Sequence, residues 1–240
     1  MSETTLALVG AVGGVGTTRT AVELAAIGAI DGRDVVVLDA AYATQGLSEY
    51  VSGRIAPDLT RLLVDETDRS LRETTYRIDG NWPGTLSVVP ARAPFERLAR
   101  AKAAEPARAL ASRIEEAART ADHVVIDTPP VASNPAVAAV TEAKRVAVLT
   151  PGSDHGRDAL QRLRGRIEDV GTSLDLTIAA GEPIAPAEIT LPDPAASTMR
   201  PVVDRDGGVY AAAVATAFET CFDTTVEVDF EEEGVLSRLR

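Results

Sequence analysis

The chain has one cysteine, Cys221, which excludes an internal disulfide and fits a reducing compartment. Histidine is nearly as scarce: with His123, His155 and Cys221 alone, no structural zinc site of four such ligands can form. No apolar run reaches the roughly 20 residues of a membrane-spanning helix. Met1-Ser2-Glu3-Thr4-Thr5 leads into a short strand without the basic and apolar regions of a signal peptide, so a cytoplasmic location is expected. Lysine is the most telling scarcity. Lys102 and Lys144 are the two lysines, and arginine supplies the other 22 of the 24 basic residues.

Acid outweighs base. Against those 24 residues stand 36 acidic ones, leaving a formal charge of −12 and a pI of about 4.7. An acidic, lysine-poor, alanine-rich and aromatic-poor composition is that of a protein adapted to a high-salt cytoplasm, as in halophilic archaea, where salt screens self-repulsion. Arginine-rich codon usage is the plainer alternative. The acidity also opposes binding to nucleic acid. At 240 residues and 45% hydrophobic content, the chain is long enough for one α/β domain with a substantial core.

The segment Gly10-Ala11-Val12-Gly13-Gly14-Val15-Gly16-Thr17-Thr18-Arg19-Thr20 is a phosphate-loop skeleton from which the expected lysine is missing. It follows the apolar run Leu6-Ala7-Leu8-Val9 and precedes a helical stripe of Val22, Leu24, Ala25, Ile27 and Ile30. Between a strand and a helix N-terminus, backbone N–H groups can hold phosphate, and glycines let the main chain approach the anion. A glycine-rich turn without a ligand is the plain alternative. Further strand-like runs at 35–38, 86–90, 123–126, 146–149 and 174–180 alternate with helical patterns. This predicts an α/β fold with a doubly wound, mostly parallel sheet flanked by helices. Residues 156–170 place Leu160, Leu163, Ile167 and Val170 on one helical face, with Arg162, Arg164 and Arg166 elsewhere, on a face read as solvated. Residues 181–201, rich in proline and alanine with a strand-like 188–191, are expected to cross the sheet edge before a last helix at 207–222.

The order of these motifs resembles the ParA/MinD family of deviant P-loop ATPases, of the SIMIBI class, over nearly the whole chain. Val12-Gly13-Gly14-Val15-Gly16-Thr17-Thr18-Arg19 stands where that family has Lys-Gly-Gly-x-Gly-Lys-Thr-Thr. Val35-Val36-Val37-Leu38-Asp39-Ala40-Ala41 is similar to its second strand and Asp-x-Asp loop, and Val124-Val125-Ile126-Asp127-Thr128-Pro129-Pro130 to its Walker B strand and switch loop. Ile189-Thr190-Leu191-Pro192-Asp193 and the helix after Gly207 resemble its closing strand, proline turn and last helix. The resemblance implies ATP or ADP with Mg²⁺. Gly13, Gly14, Val15, Gly16, Thr17, Thr18 and Arg19 would surround the phosphates, and Thr18, Asp39 and Asp127 would face the metal.

The resemblance also exposes three losses. Val12 replaces the lysine that reaches a partner's phosphates, Thr17 the lysine that neutralises the β- and γ-phosphates, and Ala41 the aspartate that orients the attacking water. No catalytic residue is assigned, and weak or absent ATPase activity is expected. Arg19 could fold back onto phosphate or lie on a solvated helix surface, and Arg92 or a partner subunit could bring a replacement cation.

Residues 1–225 are read as the P-loop domain and 226–240 as an acidic tail with a short amphipathic end. Residues 234–240 look like a truncated form of the membrane-lying helix of MinD-like proteins. Val235, Leu236 and Leu239 bury too little to anchor a monomer, so a polar tail or partner-docking peptide is expected ahead of peripheral membrane contact. The leading expectation is a regulatory or spatial-organising protein acting through a protein partner, with a homodimer as a further association. Beside it stand an active ATP-dependent dimerisation switch for partitioning or division positioning, and a metabolic enzyme on the same scaffold.

Overall fold

The computed structural model describes residues 4–65, 68–194, 200–203 and 208–228. Strand β1 (Thr5–Gly10) is buried at every position, as a central strand covered on both faces must be. It lies between β5 (His123–Thr128) and β6 (Arg145–Pro151), parallel to both. Beyond β5 come β2 (Asp34–Asp39) and β4 (Thr85–Val89), and beyond β6 come β7 (Leu176–Ala180) and β8 (Ile189–Leu191). The order is β3-β4-β2-β5-β1-β6-β7-β8, with β3 (Tyr76–Arg77) the one antiparallel strand among the described residues. All the strand-like runs of the sequence form strands. At two residues, β3 is too short for alternation to reveal. The proline-rich stretch adds β8 as an edge strand before the chain reaches α7 (Val209–Phe222).

Alternation along the strands divides the core. Leu6, Leu8, Val35, Val37, Val125, Ala147 and Leu149 pack with α1 (Thr17–Ile30) and α7. Ala7, Val9, Leu38, Val124, Ile126 and Val148 pack on the opposite face. That face is covered by α2 (Leu59–Val64), α3 (Phe95–Ala101), α4 (Ala104–Ala118), α5 (Asn134–Glu142) and α6 (Asp154–Asp169). Helix α1 is buried all round from Thr20 to Ala29, because α7 covers the side that faces away from the sheet. Gly28 makes that approach: a methyl group there would sit 2.6 Å from Val35 and 3.0 Å from Phe218.

The chain passes from β1 to β2 over the place that β5 later fills, then returns and continues to β6 on the far side. A crevice therefore opens at the carboxyl ends of β1, β2 and β5, where open α/β sheets take their ligands. The opposite edge is closed by Arg33, which pairs with Asp31 at 2.8 Å and donates to the Thr225 carbonyl at 2.6 Å. Val226 N donates to Glu219 at 3.0 Å and Glu227 N to Asp31 at 2.8 Å, fastening the start of the 226–240 segment to the body. Residues 234–240 lie outside the described residues. Among the described residues, no helix is long and apolar enough to cross a membrane.

Candidate phosphate and metal site

The loop after β1 closes tightly on itself. A methyl group at Gly10 would collide with the Thr17 hydroxyl, and Gly14 and Gly16 sit at φ 80° and 95°, in the left-handed region that glycine enters without cost. Gly13 and Gly14 are exposed, with no atom within 4 Å of where a side chain would start, so this main chain is open to a ligand. Gly16 begins α1 without a side-chain cap, and the first turn carries no acid. Thr20 N is the first amide bonded back into the helix, at 2.8 Å from Gly16 O, which leaves the amides of Thr17 and Thr18 without an acceptor inside it. These are the donors an anion would meet. Val12 packs against the cluster between β1, β6 and α6, and the Thr17 hydroxyl lies over Gly10.

Thr18, Asp39 and Asp127 come together at the strand ends. Asp39 and Asp127 are register partners across β2 and β5, and the Thr18 hydroxyl donates to Asp127 Oδ2 at 2.6 Å. Their surroundings differ. Asp39 accepts from Ala41 N at 2.8 Å and from Ala91 N at 3.1 Å, using both oxygens to tie the loops after β2 and β4. Asp127 Oδ1 is buried without a hydrogen-bond partner. Burial, then the neighbouring Asp127 charge, pushes Asp39 up to about 8. Burial pushes Asp127 up to about 6, with the Thr18 hydrogen bond holding it down. Two carboxyls so placed hold about one proton between them at neutral pH.

Gln45 closes the crevice from one side. Its backbone is left-handed at φ 53°, and its amide accepts from Ala93 N at 3.0 Å while donating to Ala93 O at 3.3 Å. Gly46 then passes so near Thr18 that an added methyl would lie 3.3 Å from the hydroxyl. Sequence reasoning missed this clamp, because a glutamine in a loop carries no periodic signal.

Arg19 does not lie on a solvated helix surface. It is largely buried and pairs with Glu23 at 3.8 Å, one turn along α1. Glu23 is itself 1% exposed and accepts from Val202 N at 2.9 Å and Val203 N at 3.1 Å. Burial raises its pKa, against those bonds and the Arg19 charge. The expectation of a solvated surface arginine is thus corrected: the guanidinium is drawn toward a buried carboxylate that fastens residues 202–203 to α1. Arg92 is exposed in the loop after β4.

A family model described as an AAA domain matches residues 3–179. The chain belongs to this AAA-domain family. No curated protein sequence matches it. Among solved structures, the septum site-determining protein MinD of Pyrococcus horikoshii OT3, complexed with Mg-ADP, is similar at 17% identity and a TM-score of 0.74, over 91% of this chain and 94% of that one. A ParA family ATPase from Chlorobium tepidum TLS gives 14% and 0.75, over 90% and 98%. A MinC:MinD cell division protein complex from Aquifex aeolicus gives 17% and 0.72, over 91% and 93%. At these identities the likeness carries the fold, which is the MinD/ParA-like P-loop architecture.

Proposed function

We propose that the chain is a MinD/ParA-like regulatory or spatial-organising protein of a high-salt cytoplasm. It holds ATP or ADP with Mg²⁺, hydrolyses ATP very slowly, and acts through a protein partner or a second copy. One observation supports this reading: the main chain at Gly13 and Gly14 is open and Thr18 is hydrogen-bonded to Asp127 beside it, while positions 12 and 17 carry no charge and Arg19 pairs with Glu23. The MinD solved with Mg-ADP supports the ligand, and the MinC:MinD complex supports the protein partner.

The donor set fits Mg²⁺. A buried carboxylate oxygen without a partner, Asp127 Oδ1, lies on the residue that receives the Thr18 hydroxyl. Mg²⁺ keeps several waters and takes one or two protein oxygens beside those of phosphate. Thr18 and Asp127 would be the two that hold it. Asp39 is committed to the Ala41 and Ala91 amides and braces the loops beside Asp127. When bound, Mg²⁺ draws phosphate charge and fixes the polyphosphate against the loop.

Turnover asks for more. Transfer of a phosphoryl group needs fixed positive charge at the terminal phosphate, and one arginine finger is worth about 10³ to 10⁵ in rate. Val12 and Thr17 supply none, and Ala41 removes a carboxylate. For Arg19 to compensate, it would have to leave Glu23 and uncover a buried charge. ATP hydrolysis measured in molar KCl is expected to be barely above background. Robust turnover that disappears in Arg19→Ala would establish the active switch instead.

A further inference from the structure

At the edge of the sheet opposite the crevice, one contact fixes a protonation state. His123, 4% exposed at the start of β5, lies against Phe218 and Phe222 of α7, with ring centroids 5.3 and 4.3 Å apart. Its Nε2 is 3.1 Å from Nη1 of Arg33. A guanidinium can only donate, so Nε2 must accept and the ring proton must sit on Nδ1. The imidazole in this arrangement is neutral. The same guanidinium pairs with Asp31 at 2.8 Å, donates to the Thr225 carbonyl at 2.6 Å and lies 5.6 Å over the Phe218 ring. Arg33 thus joins the imidazole to the segment that follows α7.

A proton added to Nε2 turns the acceptor into a donor and sets a second positive charge against the guanidinium. The imidazole is held in the core against two phenylalanines, whereas Arg33 stands between α1 and β2 with its side chain 20% exposed. The guanidinium is therefore the group that leaves, and the Thr225 carbonyl loses its donor. We infer that Arg33 and His123 form an acid-sensitive latch on the segment after α7, closed while the imidazole is neutral and open when it is charged. Histidine is the side chain that changes charge between about pH 5 and 8. Because the fold takes the neutral ring, the latch holds at the upper end of that window and is lost as pH falls through it. This sign is opposite to that of the Asp39–Asp127 pair, so the latch is read locally and not from a global melt. Other ionisable groups surround it. Asp31 and Asp34 flank Arg33, Asp122 accepts from Asp34 N at 2.8 Å, and Glu219 of α7 accepts from Val226 N. Arg145 of β6 donates to the Thr220 carbonyl at 2.7 Å, next to the Cys221 thiol, which burial pushes up to about 12.

The test follows hydrogen exchange in the full chain, without nucleotide, at the Val226 and Glu227 amides, which bond to Glu219 and Asp31 on either side of the latch. Rates at about pH 8 and about pH 5.5 are each divided by the intrinsic rate at that pH. In the wild type both amides are expected to exchange about tenfold faster in acid. The Asp122 amide, bonded to the Asp34 carbonyl at 2.9 Å within the same edge, is expected to stay unchanged. His123→Gln offers Arg33 an acceptor that does not titrate, and is expected to remain closed at both pH values. Its residual pH dependence measures the Asp31 and Glu219 carboxylates alone. Arg33→Ala is expected to be open at both. Equal wild-type rates, an acceleration shared by Asp122, or acid loosening that persists in His123→Gln overturns the latch. The imidazole nitrogen shifts of the wild type need no variant. An unprotonated Nε2 is expected at about pH 8, and an Nε2–H tautomer there overturns the inference.

Discussion

At Asp127 the cost of two buried carboxyls meets their use. The folded chain holds protons on Asp39 and Asp127 that the unfolded chain releases, so the contribution of this pair to stability is largest in acid and falls as pH rises from the ordinary carboxylate range toward about 8. A thermal melt of nucleotide-free protein across that window is expected to show the decline, and added Mg²⁺-nucleotide to offset it. Asp127→Asn removes one charge of the pair and keeps an acceptor for Thr18. It is expected to raise the nucleotide-free melting temperature while abolishing the Mg²⁺-dependent part of nucleotide affinity, the exchange of stability against function common at ligand sites. Thr17→Lys restores one cation and leaves Val12 and Ala41 as they are. Nucleotide affinity is expected to improve more than turnover, by paired binding and rate measurements. These residues were legible because each stands at a strand end or helix start in a recognisable order. Glu23 was not: its burial depends on residues 202–203, some 180 positions away, whose amides it accepts.

At the scale of elements, α1 links the loop to the rest of the molecule. Its stripe of Val22, Leu24, Ala25 and Ile27 was visible in the sequence, but its burial on all sides was not, because periodicity cannot show that α7 covers the outer face. A glutamate inside such a run was the available signal. Glu23→Ala strands the Val202 and Val203 amides and removes the carboxylate that Arg19 pairs with. It is expected to cost about 2 to 4 kcal/mol in urea unfolding, with faster hydrogen exchange at those two amides. Glu23→Gln, which keeps an acceptor, is expected to cost less. Gly28→Ala would push a methyl group into Val35 and Phe218, and an overpacking loss of about 1 to 3 kcal/mol is expected by the same measurement.

For the whole molecule, the parallel sheet and its crevice followed from apolar runs spaced by helical patterns, since strands covered on both faces have little choice but to be continuously apolar. The strand order did not follow from the runs themselves. It is set by which loops pass over which face. Charge acts at this scale too. At −12 the fold repels itself, and its melting temperature is expected to rise steeply with KCl until the field is screened. The open loop main chain, the Thr18–Asp127 pair and the uncharged positions 12 and 17 are the grounds for the proposal of a site that binds without turning over. Equilibrium binding of labelled ATP and ADP in molar KCl, with Mg²⁺ or with a chelator, tests this most directly when hydrolysis is followed in the same samples. Saturable binding that weakens in chelator, with ATP left intact, is the expected result. No binding under any condition, or rapid loss of ATP in the wild type, would contradict the account.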